Sequence, residues 1–304
     1  MLTAVIVNWN AGPQIKQCID SLAGTIAGQL IVVDNASTDG SDQTIAHYPC
    51  VTLIHSPGNL GFGKACNLGA QHATSKYLLF LNPDAAVYPR TLERTLAFMQ
   101  SQVNARVGIC GVQLVDEFGC VARSCARFPT ARAFFAHAGG LDRLLPRIGH
   151  VMAEWPHNTT REVDHVIGAF YLVRRELFES LHGFDERFFV YLEDLDFSLR
   201  ARQAGWRSVY LTDVQAFHAG GGTSNQVKAR RLFYSLRSRL LYASKHFSAG
   251  GAALVFLATL LIEPISRTAL ALARWSWPAL KETWAGYAML WRWLPQWVFK
   301  GVTR

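Results

Sequence analysis

The sequence predicts an α/β fold with a mostly parallel sheet flanked by helices, followed by a helical C-terminal region. Short apolar, β-rich runs recur through the first 112 residues, and the last 80 residues differ from them in composition. The strand-like runs are residues 3–8, 29–33, 51–55, 77–81 and 107–112. Near-continuous apolar strands separated by helices are typical of βαβ units whose sheet is covered on both faces.

The segments between these runs have helical periodicity. Residues 13–23 place Ile15, Ile19 and Leu22 at helical spacing, and residues 64–72 and 91–99 follow the same pattern. Residues 113–163 are poorly patterned, which predicts loops and short helices.

Acids and amides follow three of the predicted strands. Asn8 and Asn10 come after the first, Asp34 after the second, and Asn82 and Asp84 after the fourth. In open α/β sheets, ligands bind outside the carboxyl ends of the strands. Any one of these loops could be ordinary turn chemistry, but three together favour a ligand site. Mg²⁺ or Mn²⁺ carrying a diphosphate would suit such carboxylates.

Two glycine-rich segments lack the spacing of known phosphate loops. Residues 58–63 form G-x-x-G-x-G instead of G-x-G-x-x-G, and residues 220–224 lack the lysine of a Walker A loop. A P-loop kinase and a dinucleotide-dependent dehydrogenase are therefore disfavoured.

The positive charge of the chain lies in its last 80 residues. Of 30 Lys and Arg and 22 Asp and Glu, residues 1–224 hold 18 basic and 20 acidic side chains, whereas residues 225–304 hold 12 and 2. The same C-terminal region contains six of the nine tryptophans. We therefore expect a catalytic domain at 1–224 and a basic, Trp-rich helical region at 225–304.

Five motifs in the first region resemble those of the family 2 inverting glycosyltransferases of GT-A fold, and especially the bacterial rhamnosyltransferase-like branch. They are VIVNWN at 5–10, VVDNASTDGS at 32–41, NLGFG at 59–63 with Asn67, NPD at 82–84, and FFVYLEDLD at 188–196. The resemblance covers about residues 3–224. It implies transfer of a sugar from a nucleotide diphosphate donor with inversion at the anomeric carbon.

The resemblance also implies roles for individual residues. Asp34 would accept from N3–H of uracil or thymine, and Asn8, Asn10 and Asn67 would belong to the donor site. Asn82 and Asp84 occupy the Asp-x-Asp position of the family, with Asp84 on Mg²⁺ or Mn²⁺ and the amide of Asn82 toward the ribose. His218 falls where related enzymes place a further metal ligand, although a lone histidine near glycines is more often structural.

The resemblance assigns the catalytic base to Asp194. An inverting transfer is a single in-line displacement, so a base must take the proton of the acceptor hydroxyl. Glu193 would bind acceptor hydroxyls and Arg127 an acceptor pyrophosphate. Acids at the start of a helix are also ordinary capping chemistry. Gly168 could allow donor or acceptor to approach the backbone, or could simply form a turn.

The C-terminal region predicts a peripheral membrane contact. Trp284, Tyr287, Trp291, Leu294 and Val298 form a stripe at helical spacing. Trp combined with basic residues favours the headgroup region of a bilayer. The longest apolar run, eleven residues before Glu263, is too short to span one. The alternative is packing on the catalytic domain or on a second subunit, which would make a homo-oligomer. Nucleic acid is disfavoured because the region is apolar.

These observations predict a metal-dependent enzyme at the cytoplasmic face of the membrane. It would transfer a sugar to a lipid-linked or polysaccharide acceptor of the cell envelope. The family resemblance implies that this sugar is L-rhamnose from dTDP-rhamnose. Another UDP- or dTDP-sugar is the nearest alternative. A sugar nucleotidyltransferase would need a basic N-terminal loop, and an inactive membrane adaptor should have lost its acids. The six cysteines show no metal or disulfide spacing, which predicts reduced thiols.

Overall fold

The computed structural model describes residues 1–25, 28–220 and 227–303. Its contacts divide the chain into two compact units. The first unit is Met1–Arg127, Trp155–Glu186 and Glu193–Thr223, and the second is Phe128–Glu154, Arg187–Leu192 and Ser224–Arg304. The expected domain boundary at 224 and most of the glycine-rich segment 220–224 lie outside the described residues.

Strands and helices alternate along the first unit. Up to residue 126 they are β1 (Leu2–Asn8), α1 (Gln14–Leu22), β2 (Gly28–Asp34), α2 (Ser41–Ala46), β3 (Val51–His55), α3 (Phe62–Gln71), β4 (Tyr77–Leu81), β5 (Ala85–Val87), α4 (Thr91–Gln100), β6 (Val107–Val115) and β7 (Cys125–Ala126). After α5 (Ala131–Ala138), which is in the second unit, come β8 (Arg161–Val163), β9 (His165–Val166), β10 (Phe170–Arg174), α6 (Arg175–Ser180), α7 (Glu193–Gln203) and β11 (Arg207–His218).

The described strands form a nine-stranded sheet and a small two-stranded one. The order of the large sheet is β3-β2-β1-β4-β10-β6-β11-β5, and β8 pairs with β11. Strands β3, β2, β1 and β4 are parallel neighbours, as are β6 and β11, while β10 runs antiparallel between β4 and β6. Strands β7 and β9 pair separately. The predicted α/β class, with a mostly parallel sheet flanked by helices, is confirmed.

The buried pattern explains why these segments are strands. Every residue of β1, β4, β6 and β10 is buried, as expected for strands covered on both faces. Helix α1 buries Ile15, Ile19 and Leu22, the residues that its spacing selected. The predicted bounds of β3 and β4 match the structure at both ends. Strand β6 extends three residues beyond its predicted end, to Val115.

All six cysteines are free, so the prediction of reduced thiols is confirmed. Burial, followed by the nearby Asp84 carboxylate, raises the pKa of the Cys18 thiol. Burial also raises the pKa of the Cys66 thiol, and the nearby Glu193 carboxyl acts in the same direction. These protonated thiols act as small apolar side chains in the core.

Four further helices build most of the second unit. They are α8 (Lys228–His246), α9 (Ala249–Leu257), α10 (Glu263–Ala273) and α11 (Trp277–Lys300), with a π-helical turn at Ala258–Ile262 between α9 and α10. The turn makes Ala249–Ala273 one continuous 25-residue helix, which is long and apolar enough to cross a membrane. The eleven-residue apolar run seen in the sequence therefore lies inside a longer helix. Pro264 follows the π-helical turn, as the second residue of α10.

One side of this long helix carries buried polar groups. Glu263 accepts hydrogen bonds from Arg239 and, at 2.8 Å, from Nε of Arg267. Burial alone would raise the pKa of the Glu263 carboxyl, but the two guanidinium groups hold it below its usual value. Ser266 Oγ donates to the Ala138 carbonyl oxygen at 2.6 Å. The opposite side exposes a stripe of large apolar residues, Leu257, Leu261, Ile265 and Leu272, which we call the α9–α10 stripe.

Helix α11 buries a different face from the stripe seen in the sequence. Its buried residues are Thr283, Gly286, Tyr287, Leu290 and Trp293. Of the predicted stripe only Tyr287 is buried, while Trp284, Trp291 and Val298 are exposed. A Cβ on Gly286 would come within 3.1 Å of the Ala229 carbonyl oxygen, so the close contact with α8 selects the inner face.

Candidate active site

The carboxyl ends of β1 and β2 place Asn8 beside Asp34. The two residues are in register across the strand pair. The Asn8 amide donates to Asp34 Oδ1 at 2.9 Å and also reaches the hydroxyl oxygens of Ser37 and Ser41. Asn8 is fully buried, and its amide holds the Asp34 carboxylate in place through this hydrogen bond. The remaining oxygen, Oδ2, lies 3.8 Å from Nδ1 of the exposed His55, which no sequence motif had indicated.

Asn10 joins the loop after β1 to the loop after β2. Its backbone has a positive φ of 52°, which asparagine tolerates better than most residues. Its side-chain oxygen accepts from the Thr38 N–H at 2.7 Å, and its own N–H donates to Ser37 Oγ at 3.1 Å. The two loops that follow the first strands are thus fixed to each other.

Asn67, on α3, lies away from this pair. Its amide donates to the Phe184 carbonyl oxygen at 2.8 Å and accepts from the Phe184 N–H at 2.9 Å. A Cβ on Gly183 would lie 2.5 Å from the Asn67 side-chain oxygen, so the glycine permits this contact. The structure therefore uses Asn67 to fasten the turn before α7 to helix α3.

Asp84 and His218 come together although 134 positions separate them. Strands β5 and β11 pair antiparallel, with Ala85 opposite His218. His218 Nε2 lies 3.4 Å from Asp84 Oδ1, and both side chains are largely buried. Within the described part of the chain, Nε2 is buried and has no hydrogen-bond partner.

This pair fits a divalent metal ion. Two ligands in adjacent positions around Mg²⁺ or Mn²⁺ lie about 3 Å apart, and both a carboxylate and an imidazole are suitable donors. The unsatisfied imidazole nitrogen also needs a partner. No group of three or more His, Cys, Asp or Glu that could hold a metal occurs in the described residues.

Asn82 connects the segment that holds Asp84 to the segment that precedes β10. Its N–H donates to the Ala169 carbonyl oxygen at 3.1 Å, and its carbonyl oxygen accepts from the Ala85 N–H. Ala169 follows Gly168, whose N–H donates to Asp194 Oδ2 at 2.7 Å. The short connection before β10 therefore ties Asn82 to the predicted base.

Asp194 is held by backbone donors on both oxygens. Besides the Gly168 bond, Oδ1 accepts from the Leu195 N–H at 2.8 Å. A Cβ on Gly168 would lie 3.1 Å from Oδ2, so a larger residue would push the carboxylate away. The glycine is explained by this close approach to Asp194. About one sixth of the Asp194 side chain is exposed, at 17%.

Glu193 differs from its neighbour in burial. It is 4% exposed, and its Oε2 has no hydrogen-bond partner among the residues that the structure describes. Burial, with a further contribution from the Asp194 charge, raises the pKa of the Glu193 carboxyl well above its usual value. The Glu193 carboxyl therefore holds its proton to a higher pH than an ordinary glutamate does.

Arg127 lies at the end of the small sheet. It follows β7 directly, one position beyond the Ala126–His165 pair. Its side chain is partly buried. The site also contains His165, Tyr171 and Ser198, which sequence reasoning missed because a single His, Tyr or Ser in a buried segment forms no motif.

Comparison with known proteins agrees with this architecture. The profile described as Glycosyl transferase family 2 matches residues 3–181. The N-acetylglucosaminyl-diphospho-decaprenol L-rhamnosyltransferase of Mycobacterium tuberculosis is 28% identical over 274 residues, covering 81% of this chain and 85% of its own. The rhamnosyltransferase WbbL of Escherichia coli is 27% identical over 255 residues, covering 81% and 93%.

Solved structures resemble the chain in fold. The mannosyltransferase PcManGT from Pyrobaculum calidifontis, in complex with GDP-Man and Mn²⁺, superposes with a TM-score of 0.55 at 20% identity, covering 99% of this chain and 81% of its own. GalNAc-T7 with UDP, GalNAc and Mn²⁺ gives a TM-score of 0.54 at 15% identity, covering 81% and 51%. At these identities the similarity establishes the GT-A fold alone.

Proposed function

The chain belongs to glycosyltransferase family 2, and we propose that it transfers L-rhamnose from dTDP-rhamnose, with inversion, to a lipid-linked or polysaccharide acceptor in cell-envelope glycan synthesis. The donor and the acceptor class rest on the names of the two rhamnosyltransferase relatives. Another UDP- or dTDP-sugar is the nearest alternative. The observation that carries the proposal is the Asp194 carboxylate, fixed by two backbone N–H groups and tied to the strand edge through Gly168.

Asp194 would act as the general base. Its carboxylate is partly exposed and fixed in orientation, so it can accept the proton of an acceptor hydroxyl as that oxygen attacks the sugar. Burial raises the pKa of the Glu193 carboxyl and favours its protonated form, which makes Glu193 the less suitable base. It would bind acceptor hydroxyls, and Arg127 would meet an acceptor pyrophosphate.

Donor binding would use the other end of the strand edge. Asp34 would accept from N3–H of thymine or uracil, while Asn8 and Asn10 hold the loops around it. Asp84 and His218 would hold Mg²⁺ or Mn²⁺, and Asn82 would lie toward the ribose. When bound, the metal neutralises the negative charge of the departing diphosphate. The Mn²⁺ present with PcManGT and GalNAc-T7 supports a divalent ion.

The second unit would hold the enzyme at the cytoplasmic face of a membrane. Among the described residues, sixteen of the 21 exposed large apolar side chains lie in this unit. The polar side of the helix Ala249–Ala273 carries Glu263 and Arg267, which bond to each other, and it contacts Arg239 and Ala138. Such a one-sided arrangement favours a helix lying in the membrane interface over one that spans the bilayer. A catalytically inactive adaptor at this membrane would not need Asp84, His218 and Asp194 so arranged.

Metal-dependent donor binding tests the site without knowledge of the acceptor. We expect the affinity for dTDP, measured by titration calorimetry, to rise on addition of Mn²⁺. In Asp84→Ala, affinity with Mn²⁺ should fall by about tenfold or more, because even a residue behind a metal ligand contributes that much to metal affinity.

The matched control is Asp213→Ala, which removes an exposed acid of β11 that pairs with Arg94. It should bind dTDP like the wild-type protein. Equal Mn²⁺-dependent affinity in Asp84→Ala and wild type would remove Asp84 from the site, and a preference for UDP would select the alternative donor.

A further inference from the structure

His165 is a buried histidine that the proposed reaction does not use. It lies on β9 and is 4% exposed. Its Nε2 is 3.6 Å from Asp194 Oδ2, the oxygen that also accepts from the Gly168 N–H. A side chain with two polar nitrogens this deep in the protein needs partners on both sides.

The second nitrogen of His165 meets a buried hydroxyl pair. Nδ1 is 3.1 Å from Ser198 Oγ, and Ser198 Oγ is 2.8 Å from the Tyr171 hydroxyl oxygen. Tyr171 and Ser198 are both fully buried. Tyr171, Ser198 and His165 thus form one hydrogen-bonded chain, and its His165 end lies 3.6 Å from Asp194 Oδ2, a contact slightly longer than a hydrogen bond. We call these four side chains the Tyr171–Asp194 chain.

His165 is neutral in this environment. Burial lowers the pKa of its imidazole, and the nearby Asp194 and Asp164 carboxylates offset this only in part. Burial raises the pKa of the neighbouring Glu193 carboxyl, which favours its uncharged form. A neutral imidazole carries one proton, so one nitrogen is a donor and the other an acceptor.

The Asp194 carboxylate determines which nitrogen carries the proton. A bare Nε2 would direct its lone pair at a negative oxygen, whereas Nε2–H would be attracted to it. Ser198 can then donate to Nδ1 and accept from Tyr171. Ser198 Oγ also lies 2.9 Å from the Asp194 carbonyl oxygen. The Ser198 hydroxyl can therefore donate either to that oxygen or to His165 Nδ1, and it can donate to Nδ1 only when the histidine proton is on Nε2.

We propose that His165 is a positioning residue for the base: its neutral Nε2–H, aligned by Ser198 and Tyr171, holds Asp194 Oδ2 in the orientation needed for proton abstraction. The inference rests on the proposed role of Asp194. A neutral donor fixes the carboxylate without cancelling the negative charge that attracts the acceptor proton. A cationic partner would hold it more tightly and make it a weaker base.

Two substitutions separate positioning from packing. His165→Phe keeps a ring of similar size but has no donor, and His165→Gln keeps an amide N–H at about the distance of Nε2. With dTDP-rhamnose as donor and membrane lipid extract as acceptor, we expect kcat of His165→Phe to fall by about tenfold to a hundredfold, the usual cost of a misplaced catalytic group. The KM for the donor should stay within about twofold.

His165→Gln should recover most of the lost kcat. A His165→Phe variant with normal kcat would overturn the inference, and so would a loss that appears in KM alone. If His165→Phe fails to fold, the comparison of His165→Gln with wild type and the spectroscopic measurement below decide.

The tautomer can be measured without any turnover. In ¹⁵N NMR spectra of the full-length protein, the His165 signals are identified by their absence in His165→Gln. We expect the Nε2–H tautomer near neutral pH. The pKa of His165 should fall further in Asp194→Asn, because the carboxylate that raises it is gone. An Nδ1–H tautomer, or identical titration in wild type and Asp194→Asn, would overturn the inference whether or not the donor has been identified correctly.

Discussion

At the scale of single residues, two adjacent carboxyl groups have different surroundings. Asp194 accepts two backbone hydrogen bonds and is partly exposed, whereas Glu193 is buried, and its Oε2 lacks a partner in the described residues. Pairs of acids with divided roles are a recurring arrangement in enzymes. The proposed base is the member of this pair that is partly exposed and held by two donors.

The burial of Glu193 gives the free energy of unfolding a characteristic pH dependence. Its pKa is raised in the folded protein, so the folded state keeps the proton that the unfolded state loses above about pH 4.3. The contribution of Glu193 to the free energy of unfolding is therefore largest below that pH, and it declines as the pH rises toward the pKa that Glu193 has in the folded protein.

Glu193→Gln removes this penalty, because the amide is neutral at every pH. Its stability relative to wild type, measured by urea denaturation, should be about equal near pH 4 and increase with pH, by at most about 1.4 kcal/mol per pH unit. The exposed Glu117→Gln serves as control and should show no such trend. A pH-independent difference for Glu193→Gln would contradict the raised pKa.

Sequence predicted single residues where they belong to motifs. Asp84 and Asp194 were selected within NPD and LED, and in the structure Asp84 follows β4 while Asp194 lies in the first turn of α7 and accepts a hydrogen bond from Gly168. His165 and Ser198 could not be found in this way, because their contact with Asp194 depends on the packing of β9 against α7. Asn8 and Asn67 were assigned to the donor, and the structure gives them hydrogen bonds within the protein.

At the scale of elements, the positions of strands along the chain can be inferred from sequence more readily than the orientation of a helix. The spacing of apolar residues located β1 to β4 and α1 within one or two residues. The sequence did not indicate which face of α11 is buried, because Trp is equally suited to a core and to an interface. Pairing of β5 with β11, which brings His218 to Asp84, spans too much of the chain for local patterns to indicate.

The α9–α10 stripe is the element that tests membrane association. Wild-type protein should co-sediment with vesicles containing phosphatidylglycerol, and less so at high salt. Replacing Leu257, Leu261 and Ile265 together by Ser should weaken binding by about tenfold or more, since each buried aliphatic side chain contributes roughly 1.5–3 kcal/mol.

Val103→Ser with Phe118→Ser is the matched control, because both side chains are at least 81% exposed and lie in the first unit. This variant should bind vesicles like wild type. If the stripe variant also binds normally but loses a dimer in gel filtration, the stripe joins two subunits and the membrane assignment is wrong.

At the scale of the whole molecule, charge and hydrophobicity divide along the chain. Residues 1–224 are slightly acidic and hold every residue of the candidate site, while residues 225–304 contain 12 basic and 2 acidic residues. The second unit also recruits 128–154 and 187–192, which no compositional boundary could reveal. Composition therefore predicts where the enzyme acts, and the strand-edge residues predict its chemistry.

The central claim is that this chain is an inverting glycosyltransferase whose base is Asp194, and transfer by Asp194→Asn tests it most directly. Wild-type protein with Mn²⁺ or Mg²⁺, dTDP-rhamnose and lipid extract should form a product of inverted anomeric configuration. Asp194→Asn should keep the fold and the Mn²⁺-dependent affinity for dTDP but lose transfer by about a hundredfold to ten-thousandfold. The exposed Asp213→Asn should transfer normally. Turnover of Asp194→Asn near the wild-type rate would contradict the account.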